Sequence, residues 1–166
     1  MLDLSMGKSS NEYQKMADDL ISSFRSLKDK NVRVFIIPKW MFWWATAFVF
    51  GRFIFINKNF EKMDKVSQVA LLAHELCHVE DSIKRGFLQE LFMLLYEGLS
   101  WGFDTKLSRR VERAVDLRTI KKGYGKELLH LELAREKKFS KKKLEKIHSR
   151  GYLSSQEIKS LMGKKK

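Results

Sequence analysis

The chain has 166 residues, of which 44% are hydrophobic and 32% charged, and this balance is typical of one globular domain and not of a disordered chain. One proline and nine glycines exclude collagen-like and proline-rich architectures, while a single cysteine, Cys77, excludes an internal disulfide bond. The net charge of +13 lies mostly in residues 137–166, which hold eleven basic and two acidic side chains. Such a tail could contact nucleic acid or an anionic membrane surface, or it could be a solvated helical face.

The first part of the chain predicts one helix and two strands. Apolar residues recur at helical spacing over residues 11–29, namely Tyr13, Met16, Ala17, Leu20, Ile21, Phe24 and Leu27. A β-branched run over 32–37 ends at Pro38, and a second run over 51–57 is also typical of a strand. Between them, residues 39–44 are too aromatic for an ordinary solvated loop. We expect this segment either to be buried or to contact a surface other than water.

The rest of the chain predicts helices only. The helix over about 64–85 ends at Gly86, and the basic residues before this glycine suit the negative end of the helix dipole. Further helices are expected over about 88–100, 105–122, 125–138, 140–149 and 154–162. Ser154 and Glu157 have the spacing of a capping box at the start of the last helix. The sequence therefore predicts an α+β fold that is mostly helical, with a short sheet.

The sequence also predicts a location for the protein. Residues 1–14 contain no apolar region and no small-residue cleavage site, so they do not form a secretory signal. The apolar stretches 40–56 and 87–103 contain charged residues and fall short of the roughly 18 to 20 residues of a membrane span. We therefore expect a cytoplasmic protein. Peripheral membrane contact through the basic tail and four aromatic residues is a further hypothesis, these being Trp40, Phe42, Trp43 and Trp44.

The predicted helix 64–85 contains the sequence His74-Glu75-Leu76-Cys77-His78. Residues four apart on an α-helix differ by a net rotation of about 40° and a rise of about 6 Å, so both imidazoles project from one face and can bind one ion. Glu75 lies about 100° from His74, where it can reach a water on that ion without binding the ion itself. A catalytic zinc has three protein ligands and one open position. The spacing therefore indicates two ligands and a base of a catalytic zinc site.

A third ligand must come from elsewhere in the chain. The longer motif with a glycine three residues after His78 and a histidine three residues further is absent, because those positions are Asp81 and Lys84. Glu112 and Asp116 are better candidates, since they lie one helical turn apart on one face. Glu112 could bind the metal while Asp116 holds a ligand histidine by its other nitrogen. The alternative interpretation is a solvated acidic pair among neighbouring arginines.

These residues resemble those of a known family. His74-Glu-x-x-His78 followed by Glu112-x-Ala-x-Asp116 is similar to the gluzincin metallopeptidases, in particular the very small minigluzincins, and more distantly to the heat-shock and CAAX-processing membrane peptidases. The resemblance implies a small zincin-like catalytic domain with one zinc ion bound by His74, His78 and Glu112. It also implies that Glu75 is the general base and that Asp116 is hydrogen-bonded to His74.

The resemblance covers about residues 32–129 and extends to the substrate and the tail. Residues 51–57 are similar to the family's edge strand, so an extended substrate is expected to pair with Arg52, Phe53, Ile54 and Phe55. Residues 1–136 would form the catalytic domain and residues 137–166 a basic, regulatory helical tail. Because minigluzincins resemble zymogens in which a terminal segment covers the cleft, the tail could keep the enzyme latent. Truncation near Lys137 should then raise activity.

The predicted activity is hydrolysis of peptide bonds in peptide or protein substrates. Zinc would lower the pKa of water and polarise the scissile carbonyl, while Glu75 moves a proton from that water to the leaving amine. A donor that stabilises the oxyanion is also expected, and Tyr124, Tyr96 and His130 are the candidates. The alternative function is a non-catalytic zinc-containing module that binds nucleic acid or an anionic membrane through its tail. The single cysteine disfavours this alternative, because structural zinc sites have four protein ligands, often thiolates.

Overall fold

The computed structural model describes residues 8–38, 40, 46–86 and 106–163. The predicted helix over 88–100, the candidate Tyr96 and most of the aromatic segment 39–44 lie outside the described residues. Within those ranges the fold is α+β and mostly helical with one small sheet, as the sequence predicts. No described helix combines the length and the apolar character that crossing a membrane requires.

The described chain contains three strands and seven α-helices. The strands are β1 (Arg33–Ile37), β2 (Ala47–Phe50) and β3 (Phe53–Asn57). The helices are α1 (Lys8–Ile21), α2 (Lys58–Glu61), α3 (Lys65–Arg85), α4 (Lys106–Thr119), α5 (Gly125–Lys138), α6 (Lys141–Ser149) and α7 (Ser155–Gly163). A wider helical turn at Ile120–Tyr124, in which Gly123 has a φ of +102°, joins α4 to α5.

The first predicted helix is shorter than its apolar pattern indicates. The chain leaves the helix after Ile21 and forms a separate 3-10 turn at Arg25–Leu27. Phe24 and Leu27 are nevertheless buried together with the apolar face of α1. The apolar spacing therefore identified the buried residues correctly, although it extended the helix too far.

The strand order corrects one expectation from the sequence. The sheet has the order β1-β3-β2, with β1 parallel and β2 antiparallel to β3. The strand within residues 51–57, which carries Phe53, Ile54 and Phe55, is therefore central and not an edge strand. β2, which the sequence analysis did not identify as a strand, lies at one edge and is joined to β3 by the two-residue turn Gly51-Arg52. Gly51 has a φ of +61°, which suits the first central position of a type II′ turn.

The other edge of the sheet is closed by a side chain. Gln14 of α1 accepts a hydrogen bond from the Val34 backbone N–H at 2.9 Å and donates one to the Val32 carbonyl at 3.0 Å. These bonds satisfy backbone groups that another strand would otherwise pair with. Of the two edges of the sheet, β1 is thus covered by α1, whereas β2 packs beside α3.

The two faces of the sheet differ in what they contact. Val34, Ile54 and Ile56 are buried on the face that packs against the helices. Phenylalanines occupy the opposite face, where the rings of Phe48 and Phe55 stack at 4.7 Å. α3 lies between the sheet and the helices α4 and α5 and is buried along most of its length.

The segment after residue 137 contributes to the same core. Leu153 and Ile158 are fully buried and belong to the same hydrophobic cluster as Leu72 of α3 and Val115 of α4. The division of the chain into residues 1–136 and 137–166 stays a prediction about function. In packing terms, the two parts share one core.

Candidate metal centre

Helix α3 places the two histidines in the interior of the molecule. It begins where the Asp64 side chain accepts a hydrogen bond from the Ser67 N–H at 2.9 Å, and it ends at Gly86, which has a φ of +80°. Both ends agree with the predicted helix over about 64–85, and the glycine that predicted its end is a strong local signal. His74 lies near the middle of this helix and is only 3% exposed, whereas His78 is half-buried.

Three side chains from α3 and α4 meet at one point. The Nε2 atoms of His74 and His78 are 3.2 Å apart, and Glu112 Oε2 lies 3.2 Å from His74 Nε2. Glu112 Oε1 is 3.7 Å from His78 Nε2. A tetrahedral ion with bonds of about 2.0–2.1 Å would hold its ligand atoms roughly 3.4 Å apart, so the observed spacing fits. His74, His78 and Glu112 could therefore hold a metal ion.

The surroundings and the ionisation of Glu112 also suit a ligand to a cation. Its Oε2 atom is buried and has no hydrogen-bond donor in suitable geometry among the described residues. A buried carboxylate oxygen without a donor is costly unless a positive charge compensates it. Burial raises the pKa of Glu112, but the two histidines outweigh burial and hold this pKa well below its usual range. The carboxylate is therefore in the ionised form that a metal ligand needs.

Asp116 orients the ring of His74. The Nδ1 atom of His74 lies 2.8 Å from Asp116 Oδ1, which is the hydrogen bond that the family resemblance implied. Because the carboxylate can only accept, the neutral imidazole that binds a metal carries its proton on Nδ1, and the lone pair of its Nε2 faces His78 and Glu112. Burial lowers the pKa of His74, but the carboxylates of Asp116 and Glu112 outweigh burial and hold it well above its ordinary value.

Glu75 is a buried carboxyl group on α3. It lies beside the ligand group, which consists of His74, His78 and Glu112. It is 6% exposed. Burial raises its pKa, the charges of His78 and His74 partly oppose this shift, and the charge of Glu112 adds to it. A carboxylate with a raised pKa is a stronger base than an exposed glutamate. The position suits the general base that the sequence predicts.

Tyr152 contacts this group and was not among the residues singled out from the sequence. Its ring stacks on His74 with centroids 5.7 Å apart and an interplanar angle of 26°. The Arg135 guanidinium lies 5.4 Å from the centre of the same ring. Burial, and after it the charge of Glu112, raises the pKa of Tyr152 well above its ordinary value. In the local sequence, Gly151 and the capping box indicate a turn before α7 but do not indicate the contact with His74.

The residues proposed to stabilise the oxyanion lie elsewhere or outside the described chain. His130 contacts Asp64 at 3.1 Å, at the start of α3 and ten residues before His74, which is about 15 Å along a helix. The hydroxyl of Tyr124 donates to Ser23 at 3.0 Å, and its ring stacks on Phe24. Neither residue is brought to the ligand group by these contacts. Sequence spacing could not show this, because both residues lie on elements whose packing it does not encode.

Of the residues expected to pair with the substrate, Phe53, Ile54 and Phe55 are on the central strand and Arg52 is in the turn before it. Ile54 is fully buried, and Phe53 and Phe55 contact other phenylalanines on the far face of the sheet. The backbone groups of this strand pair with β1 and β2 and so do not form an edge. The Arg52 guanidinium lies over the Phe53 ring at 5.5 Å.

Cys77 does not join the ligand group. It is fully buried, and its Sγ atom lies 3.5 Å from Thr119 Oγ1, so it packs in the core. Among the described residues, the group that could hold a metal thus has three members.

Comparisons of this chain with protein-family models, with curated proteins and with solved structures found no match. The chemistry of the site must therefore be argued from its own geometry. That geometry combines three ligands for one cation with a buried carboxylate beside them. Together these are the groups needed to bind a divalent ion and to accept a proton from a neighbouring water.

Proposed function

We propose that this protein is a zinc-dependent peptidase. The observation that carries the proposal is the convergence of His74, His78 and Glu112, with Glu75 buried next to them. Two imidazole nitrogens and one carboxylate oxygen are a donor set that suits zinc. Three protein ligands, in the part of the chain that the structure describes, leave a position for water, as catalytic zinc sites do.

The protein's own groups account for the proton transfers in peptide hydrolysis. When bound, zinc would supply Lewis acidity toward water and the scissile carbonyl. Glu75 takes a proton from the attacking water and donates it to the leaving amine, so that no covalent bond to the protein is needed. Asp116 keeps the proton of His74 on Nδ1, and Nε2 therefore stays available for the ion.

The substrate is proposed to lie along β2 instead of β3. The Thr46 carbonyl accepts a hydrogen bond from the Asn57 N–H at 2.9 Å, and hydrogen-bonded pairs alternate along an antiparallel ladder. Ala47 and Val49 therefore form the non-hydrogen-bonded pairs, and their backbone groups face away from β3. β2 packs beside α3, so a peptide paired with these two residues would run close to the histidine helix.

The test combines zinc binding with cleavage of peptides. The full chain is loaded with one equivalent of zinc and incubated with a mixture of peptides of varied sequence, and products are identified by mass spectrometry. Glu75→Gln is expected to keep the zinc and to lose about 10²- to 10⁴-fold in cleavage rate, because it removes only the base. Glu80→Gln is the matched control, since Glu80 is equally buried on α3 but pairs with Lys122 at 2.8 Å.

Two results would overturn the proposal. The first is an absence of zinc binding that depends on His74, His78 and Glu112. The second is stoichiometric zinc without cleavage of any peptide. The second result would favour the non-catalytic zinc-containing module instead, for which the exposed residues Lys141, Lys142 and Lys143 of α6 offer contacts to an anionic partner.

A further inference from the structure

We propose that the segment Gly151–Leu153 is a supporting part of the metal centre, which holds Asp116 and His74 in the orientation that binds the ion. The inference rests on the proposed metal site but does not require that the site hydrolyse peptides. It assigns a positioning role to a backbone N–H and to one aromatic ring. It also differs from a role as a removable cover, because it predicts that disrupting the segment weakens the site.

The first support is a hydrogen bond from the backbone. The Leu153 N–H donates to Asp116 Oδ2 at 2.8 Å, while the other oxygen of the same carboxylate contacts His74 Nδ1 at 2.8 Å. Asp116 is 2% exposed, so water cannot readily replace either bond. With both oxygens occupied, the carboxylate has one orientation, and the plane of His74 follows from it.

The second support is the neighbouring residue, Tyr152. Its ring stacks on the imidazole of His74 at 5.7 Å and is itself covered by the Arg135 guanidinium at 5.4 Å. A ring packed against one face of the imidazole restricts its rotation about the side-chain axis. Two consecutive residues therefore constrain the same histidine, one directly and one through Asp116.

The segment itself is fixed on α4. Gly151 has a φ of +107°, and a Cβ atom at this position would lie 2.3 Å from the Arg109 carbonyl oxygen, so the two backbones are in direct contact. Glu157 pairs with Arg113 at 2.8 Å, and Leu153 is 1% exposed. Arg109, Arg113 and Asp116 recur at helical spacing, so these contacts lie along one side of α4. That helix also carries the ligand Glu112.

The test changes one atom of the segment. Leu153 is replaced by its α-hydroxy acid, which exchanges the backbone N–H for an ester oxygen and leaves the side chain intact. The same replacement at Leu161 is the control, because that residue lies inside α7 and its N–H belongs to the helix. Zinc affinity is measured by competition with a chelator, and the geometry of the site is read from the absorption spectrum of the cobalt-loaded protein.

We expect the ester at position 153 to weaken zinc binding by about 10- to 100-fold and to change the cobalt spectrum, with less than about a twofold change for the ester at 161. Tyr152→Leu should also weaken binding, whereas Tyr152→Phe, which keeps the ring, should restore it. Circular dichroism of the metal-free proteins checks that all variants are folded at the temperature of the measurement.

Each outcome separates this inference from its rivals. Unchanged zinc affinity and an unchanged cobalt spectrum in the ester at 153 would overturn the supporting role. Unchanged affinity with faster peptide cleavage would show instead that the segment is an inhibitory cover. If the ester at 153 weakens zinc binding as expected but the wild-type chain cleaves no peptide, this inference stands and the peptidase proposal is rejected. A wild-type chain that binds no zinc would reject both.

Discussion

His74 on α3 and His148 on α6 each contact a buried carboxylate on a neighbouring helix. His74 Nδ1 lies 2.8 Å from Asp116, and His148 Nε2 lies 2.6 Å from Glu132. Both carboxylates belong to residues that are no more than 2% exposed. The pairs differ in their other contacts. Glu132 also pairs with Arg135 at 3.3 Å, whereas the second nitrogen of His74 faces another histidine and a carboxylate.

The difference between these two regions is one of charge balance. The negative charge of Glu132 is matched by the guanidinium of Arg135, so the chain itself compensates it. Around His74, the carboxylates of Glu112 and Asp116 meet imidazoles that are neutral when they bind a metal. A histidine paired with a carboxylate is therefore a structural contact in one place and part of a candidate metal centre in the other. An external cation would balance the negative charge of the carboxylates around His74.

The largest effect is expected when the glutamate of each region, Glu112 or Glu132, is replaced by glutamine. Glu112→Gln should weaken zinc binding by more than about 100-fold, because it removes an anionic ligand and not merely a supporting contact. The matched variant Glu132→Gln should leave zinc binding unchanged and lower the free energy of unfolding by about 1–3 kcal/mol, since it disrupts a buried ion pair. Chelator competition and urea unfolding measure the two quantities. Equal zinc affinities in the two variants would contradict the charge-balance argument.

A smaller loss is expected from Asp116→Asn. The amide has only one acceptor oxygen, whereas Asp116 accepts from both His74 and the Leu153 N–H. One of these bonds must be lost, so zinc affinity should fall by about 10- to 100-fold. Isothermal titration with zinc provides the measurement. The comparison would fail if the variant bound zinc as tightly as the wild type.

His148→Ala is expected to change stability and not the metal. The variant removes one partner of Glu132 but leaves Arg135, so the cost should be about 1 kcal/mol. For a chain of this length, that corresponds to roughly 2–4 °C in the melting temperature. Lys146→Ala, an exposed neighbour on α6, is the control. Zinc affinity lower than that of the control would show that His148 belongs to the metal centre after all.

The smallest effect concerns an exposed pair of the same kind, His130 with Asp64. Burial raises the pKa of Asp64, but hydrogen bonds from Ser67 and the contact with His130 outweigh it, and the pKa lies below its ordinary value. The stabilisation is thus present above about pH 4, the ordinary value, and is lost as pH falls through the lower pKa of the folded state. Because both side chains are half exposed, Asp64→Asn should cost only a few tenths of a kcal/mol at neutral pH.

This cost should vanish once the pH falls below the lowered folded-state pKa of Asp64, where the wild-type carboxyl is also uncharged. Urea unfolding of both proteins over a range of pH tests the prediction. A difference that stays constant with pH would mean that hydrogen-bond geometry, and not charge, distinguishes the two side chains.

The sequence predicted those parts of the site that depend on helix geometry. The interval of four residues between His74 and His78, and between Glu112 and Asp116, places each pair on one side of its helix wherever the helix lies. Gly86 and the basic residues before it predicted the end of α3, because signals at the C-terminus of a helix are local. The capping box of α7 was predicted for the same reason, and Ser154 Oγ and Glu157 contact each other's backbone N–H groups.

The remaining features depend on contacts between distant parts of the chain. Strand order is not encoded in the pattern of one strand, although apolar residues on both faces of β3, such as Phe53 and Ile54, are typical of a central strand. Tyr152 reaches His74 across 78 residues of sequence, and no local rule predicts such a contact. Conversely, His130 was a candidate from the sequence because its residue type suits the oxyanion role. The packing of α5 places it at the far end of α3 instead.

The hydrogen bonds of Gln14 have a consequence for self-association. They occupy the Val32 carbonyl and the Val34 N–H at the outer side of β1, and α1 packs against this strand, so within the described chain a further strand adds to the sheet more readily beside β2. If two copies paired through β2, the joined sheet would end in a Gln14-capped strand on both sides. Growth by strand addition would then stop at two molecules, because an open fibre needs two pairing edges in every copy.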